Sequence, residues 1–207
     1  MLSSAKLYLA LKDATTTEIQ NMKLIKIMLV CCMAALSSCA SVPKVDIAAL
    51  VSEANKGNAI AQNDLGSRYQ FGDGVRKDYD KSLEWYRKAS DQGLALATTN
   101  LGYMYDLGLG VKENNAKAIE LYKKSAERGE PRAMTNLGLM YGEGQGIKQD
   151  YVQAYKWLDL ARFYSQNSKD MQTKWSARGA LDKLKTFMTL EQIEAGKAMS
   201  AKWIKSR

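Results

Sequence analysis

The chain has no histidine, two prolines and three cysteines in 207 residues. Without histidine the commonest general base, the usual nucleophile–base pairs and the commonest metal ligand are missing. All three cysteines, Cys31, Cys32 and Cys39, lie in or beside one apolar stretch near the amino terminus, so the rest of the chain can form no disulfide and offers no thiolate. That apolar run, residues 27–36, is ten residues long and too short to span a bilayer. No G-x-x-x-x-G-K-S/T phosphate loop is present, and no nucleic-acid-reading motif. After Cys39 there is one S-x-x-K, Ser41 to Lys44, in a tether-like stretch with Pro43, whereas a catalytic S-x-x-K needs a helix that presents both side chains to a pocket. The sequence therefore nominates no catalytic residue, no cofactor and no metal ligand.

What is present is a repeat. Leu65, Leu101 and Leu137 stand 36 residues apart, and so do Gly66, Gly102 and Gly138; Tyr69, Tyr105 and Tyr141; Gly72, Gly108 and Gly144; Gly74, Gly110 and Gly146. A fixed period in this range marks stacked supersecondary units that bury their apolar faces on one another. Within each copy an apolar stripe falls at i, i+4 and i+8, as in Ala61, Leu65 and Tyr69, which is helical spacing. A G-x-G pair ends the stripe, and a second amphipathic segment follows, with Leu83, Trp85, Tyr86 and Ala89 on its apolar side in the first copy. Each unit thus reads as an αα-hairpin. A glycine in the middle of a helix costs about 1 kcal/mol relative to alanine. Gly66, Gly102 and Gly138, at one phase in three copies, imply that a neighbouring helix approaches where a side chain would stand.

The pattern A-x-x-x-L-G-x-x-Y-x-x-G-x-G-V-x-x-D/N-x-x-K, closed by Trp85-Tyr86 in the first copy and Leu121-Tyr122 in the second, resembles Sel-1-like repeats, relatives of tetratricopeptide repeats. Val75, Val111 and Ile147 follow the second glycine; Lys81 and Lys117 fill the lysine position, and the third copy has Gln153 there. The resemblance implies an all-α fold, a right-handed α-solenoid of stacked hairpins without a sheet. It divides the chain into repeats over 58–93, 94–129 and 130–165. Gly57 lies 36 residues before Gly93, so residues 47–57 are expected to form a lone capping helix before the array. Residues 171–185 and 189–204 are expected to be two further helices, within a basic carboxy-terminal cap over 166–207, with Thr189 and Gln192 forming a capping box. Some Sel-1-like proteins with a cysteine pair in each repeat have been ascribed penicillin-binding or β-lactamase activity. This chain lacks those cysteines, and a cell-wall hydrolase or β-lactamase-like enzyme is kept only as the alternative.

At the amino terminus, Lys23 and Lys26 precede the apolar run, as in a secretory leader. Leu36-Ser-Ser-Cys39 resembles the lipobox of bacterial lipoproteins. That resemblance implies a leader over 22–38, acylation of Cys39, and a tether over 39–46. With Ala40 next to the cysteine, it implies lipid anchorage at the outer membrane with the repeats facing the periplasm. Residues 1–21 match neither feature; the expected start is Met22, with a non-native extension upstream.

Charge is uneven. Residues 40–161 carry 16 basic and 16 acidic side chains, whereas residues 162–207 carry 10 and 4. The carboxy-terminal cap is therefore a candidate for contact with an anionic surface. The expected function is a non-catalytic scaffold for a protein or peptide partner in the cell envelope, with no nucleic acid. At about 100° per residue, the side of the first helices opposite the apolar stripe carries Asn63, Ser67, Thr99, Tyr103, Thr135 and Leu139. In the superhelical families that the chain resembles, the first helices line the concave surface, and that resemblance makes these six residues the expected partner face, with Tyr103 as its aromatic anchor.

Overall fold

The computed structural model describes residues 46–166 and 170–207. The expected extension, leader, Cys39 and all of the tether before Asp46 lie outside the described residues. Those residues form nine helices and no strand: α1 Ile47–Asn55, α2 Ala59–Phe71, α3 Tyr79–Asp91, α4 Ala95–Asp106, α5 Asn115–Ala126, α6 Pro131–Glu143, α7 Tyr151–Ser165, α8 Met171–Lys185 and α9 Leu190–Lys205. Helices α2 and α3, α4 and α5, and α6 and α7 are the three hairpins, and each packs on the next.

The repeated residues explain the local structure. Asp78, Asn114 and Asp150 are the N-caps of the second helices, each accepting a backbone N–H of the first turn at 2.9–3.0 Å. The same three residues donate their own N–H to Tyr69, Tyr105 and Tyr141 carbonyls at 2.8–2.9 Å, which closes the loop between the helices of each hairpin. Gly72 and Gly144 end the first helices at φ 77° and 74°, in the left-handed region that costs a side-chain-bearing residue most. Thr189 and Gln192 form the capping box of α9.

Burial follows the repeat as a row of overlapping clusters. Ala54, Ala61 and Leu65 join α1 to α2. Leu83, Tyr86, Leu101 and Met104 join the first hairpin to the second. Tyr122, Met134, Leu137, Met140 and Trp157 anchor the largest cluster, between the second and third. Helix–helix distance is set by the mid-helix glycines: a Cβ at Gly66 or Gly102 would lie 2.8 Å from the ring of Tyr86 or Tyr122, and one at Gly138 2.7 Å from Leu158.

The two terminal helices do different things. Helix α8 extends the row of first helices by packing on α6 and α7. It is tied there by Arg132 of α6, whose guanidinium lies 2.6 Å from Asp170 and also donates to Thr173. Helix α9 packs on α7. Gly196 makes that contact close, since a Cβ there would stand 2.7 Å from Tyr155.

Candidate interaction face

Two layers result, one of first helices and one of second helices. The first-helix layer is joined directly by Asn100 Nδ2, which donates to Asn63 Oδ1 at 2.9 Å between α4 and α2. This contact corrects part of the expected partner face. Asn63, Thr99 and Thr135 are buried. Thr99 Oγ1 shares a 2.7 Å hydrogen bond with Ser125 Oγ of α5, and Thr135 Oγ1 donates to the Pro131 carbonyl. A helix packed between two neighbours hides a wider arc than a helix on a single core, and these positions are turned about 40° from the exposed stripe, at 100° per residue. Ser67 is half-buried. Tyr103 and Leu139 are each 40% exposed.

The exposed stripe is mostly apolar and includes residues outside the six expected ones. Positions 60, 67 and 71 share one face of α2, and their equivalents are 96, 103 and 107 on α4 and 132, 139 and 143 on α6. Ile60, Phe71, Tyr103, Leu107 and Leu139 among them are large, apolar and exposed. The i, i+4 spacing from Tyr103 to Leu107, with Phe71 at the same phase 36 residues earlier, was the signal that would have found them.

Behind this stripe each hairpin has a polar latch, except the last. The Tyr86 hydroxyl donates to Gln70 Oε1 at 2.7 Å, and the Tyr122 hydroxyl to Asp106 Oδ2 at 3.2 Å. Burial pushes the Tyr86 phenol up to about 12, and burial followed by Asp106 pushes Tyr122 up as well, so both remain donors. In the third hairpin the equivalent pair is Gly142 and Leu158, and the latch is absent. Burial also pushes the Asp106 carboxyl above its ordinary 3.8; Tyr122 opposes the shift, and Glu113 and Glu143 add to it. These carboxylates form no metal centre: among the described residues no group of such side chains could hold an ion.

A carboxyl raised in this way favours the folded state most below its unfolded value, and that contribution is lost as pH rises through the folded value. Asp106→Asn keeps an acceptor for Tyr122, as Gln70 does for Tyr86. It is expected to melt no lower than wild type at pH 7 and to lose this advantage near pH 4. A variant that melts several degrees lower at pH 7 would show that the charge itself is required.

Part of the charge of the basic cap is paired locally. A cleft of about 580 Å³ between α7 and α8 carries Arg162, Lys174, Arg178 and Lys185. Asp159 pairs with Arg162 at 2.7 Å, and Asp182 lies 3.1 Å from Lys185 and 4.0 Å from Arg178.

Fold and face together define an α-helical repeat array with an apolar stripe along one layer. The chain belongs to the Sel1 repeat family, whose model matches residues 59–94, 95–130 and 131–162. Arrays of this family commonly serve as scaffolds for protein–protein interaction and are generally non-catalytic. The chain is similar to the crystal structure of a Sel1 repeat protein from Oxalobacter formigenes, at 33% identity over 67% of this chain and 98% of that one, with a TM-score of 0.54. It is also similar to c5321, a protective antigen present in uropathogenic Escherichia coli strains and displaying an SLR fold, at 25% identity over 75% of this chain and 40% of that one, with a TM-score of 0.48. A comparison with curated proteins gives no match.

Proposed function

We propose that the protein is a non-catalytic scaffold that holds a protein or peptide on the face lined by its first helices. The observation that carries this reading is the apolar stripe. Phe71 and Leu107, 71% and 51% exposed, share one repeat position, and Tyr103 and Leu139, each 40% exposed, share another on the same face. Contiguous apolar surface of this kind marks interaction sites, and aromatic side chains are favoured anchors within them. The test is the double variant Tyr103→Ala, Leu107→Ser. It is expected to melt like wild type, because neither side chain fills the interior, and to lose capture of a partner cross-linked from solubilised cell envelope. Full capture by this variant would remove the stripe from the binding surface.

The placement that fits this role is a lipid anchor at the outer membrane, with the array in the periplasm. Its support is the leader-like stretch over 22–38 and the lipobox-like Leu36-Ser-Ser-Cys39. Among the described residues no helix is long and apolar enough to cross a membrane. Cys39→Ser is expected to release the protein from the membrane fraction and to abolish labelling by a palmitate analogue. Unchanged labelling would sink the lipid anchor.

A further inference from the structure

The missing latch of the third hairpin leaves space. Gly142 has no side chain where Gln70 and Asp106 stand, and Leu158 is shorter than the tyrosines that reach them. Helix α8, the added member of the first-helix row, roofs the gap with Leu184 and, just past its end, Phe187. A cavity of about 370 Å³ results, bounded further by Leu139 and Tyr151. That volume falls in the range of ligand pockets. At one end the Tyr151 and Phe187 rings stack with centroids 6.4 Å apart. Leu139 belongs both to this cavity and to the apolar stripe, so the cavity opens on the proposed binding face.

The charges at the rim are unequal. Glu143 borders the cavity on its α6 side. Glu113 and Glu143 each lie close enough to Asp106 for their charges to act on it, and none of the three is in an ion pair among the described residues. Lys183 borders the opposite, α8 side. A ligand's positive charge is thus favoured toward α4 and α6 and disfavoured toward α8.

We propose that this cavity receives one leucine- or phenylalanine-sized side chain of a basic peptide segment, whose lysine or arginine faces Asp106, Glu113 and Glu143. The inference rests on the first-helix face being the binding surface and names the chemistry of the partner there. The segment lies along the stripe with its apolar anchor in the gap between α6 and α8 and its cationic residue toward α4.

Gly142 makes the idea testable without damage to the fold. A Cβ at this position would meet Ala154 Cβ and Leu184 Cδ1 at 3.6 Å, an ordinary contact, so Gly142→Leu fills the cavity without a clash at its first atom. The probe is a short fluorescein-labelled peptide alternating lysine with leucine and ending in phenylalanine, titrated against the full chain by anisotropy. Two control peptides replace its lysines by glutamate or its apolar residues by serine. Wild type is expected to bind the lysine–leucine peptide at least about tenfold more tightly than either control, a difference of about 1.4 kcal/mol. Gly142→Leu, checked by thermal melting, is expected to lose about tenfold or more. The double variant Asp106→Asn, Glu143→Gln leaves the cavity walls in place and is expected to lose a similar factor, together with part of the salt dependence. Equal binding of the glutamate peptide, or unchanged affinity in both variants, overturns the proposal. If Tyr103→Ala, Leu107→Ser abolishes binding while Gly142→Leu binds as wild type does, the face stands and the cavity falls. Indifference of binding to all of these variants removes both.

Discussion

Leu137→Ala is expected to destabilise the array by about 2–5 kcal/mol, the range for emptied leucine sites in packed cores. Leu137 is fully buried in the largest cluster, and Met134, Met140 and Tyr122 around it are also enclosed. Little can move in to fill the void, so the loss should fall in the upper part of that range. Leu101, with 7% exposure and in a smaller cluster, should lose less when changed to alanine. In an array held by nearest-neighbour contacts the damage spreads to the adjoining hairpins. Urea denaturation of both variants, followed by far-ultraviolet circular dichroism, measures the difference. A loss below about 1 kcal/mol at Leu137 would mean that this interface does not hold the second and third hairpins together.

The second large effect is a reversal of sign between two helical glycines. Gly179→Ala in α8 is expected to stabilise the protein by about 0.5–1 kcal/mol, because alanine is the better helix former and nothing stands within 4 Å of the added Cβ. The same change at Gly102 gains the same propensity, yet it is expected to destabilise. Its Cβ would lie 2.8 Å from Cε1 and 2.9 Å from Cδ1 of Tyr122, a ring that is fully enclosed and latched to Asp106. Overpacking of this kind costs about 1–3 kcal/mol, which exceeds the propensity gain. Gly102→Leu should be worse still. Paired melting curves decide the matter: if Gly102→Ala rises with Gly179→Ala, the close approach of α4 and α5 does not set their spacing.

The legibility of this chain differs from one level to the next. The hairpins, their phase and the reason for the mid-helix glycines could be read directly, because a 36-residue period repeats each local signal three times. Coincidence at one copy is then corrected by the other two. The D/N position is visible as part of the pattern, but its double role, capping the second helix and closing the loop through its own N–H, is not legible there. That role needs the Tyr69, Tyr105 and Tyr141 carbonyls, whose placement is not a matter of spacing.

The candidate face was legible only in part. Counting 100° per residue separates two sides of one helix but says nothing of how many neighbours that helix has. Asn63, Thr99 and Thr135 fall on the open side by angle and are nonetheless buried: Asn63 meets Asn100 of the next first helix, and Thr99 meets Ser125 of its own hairpin's second helix. Tyr103 and Leu139 survive at the surface because they sit a turn further along, on the outward side. The cavity was beyond reach in one dimension. Gly142 and Leu158 read individually as unremarkable departures from the repeat; only packing brings position 142 against position 158 and lays α8 over both. Local periodicity, capping and turn chemistry are short-range and are written along the chain. Which polar latch is lost, and what roofs the space it leaves, depends on contacts between helices far apart in sequence, and these exist only once the hairpins have stacked.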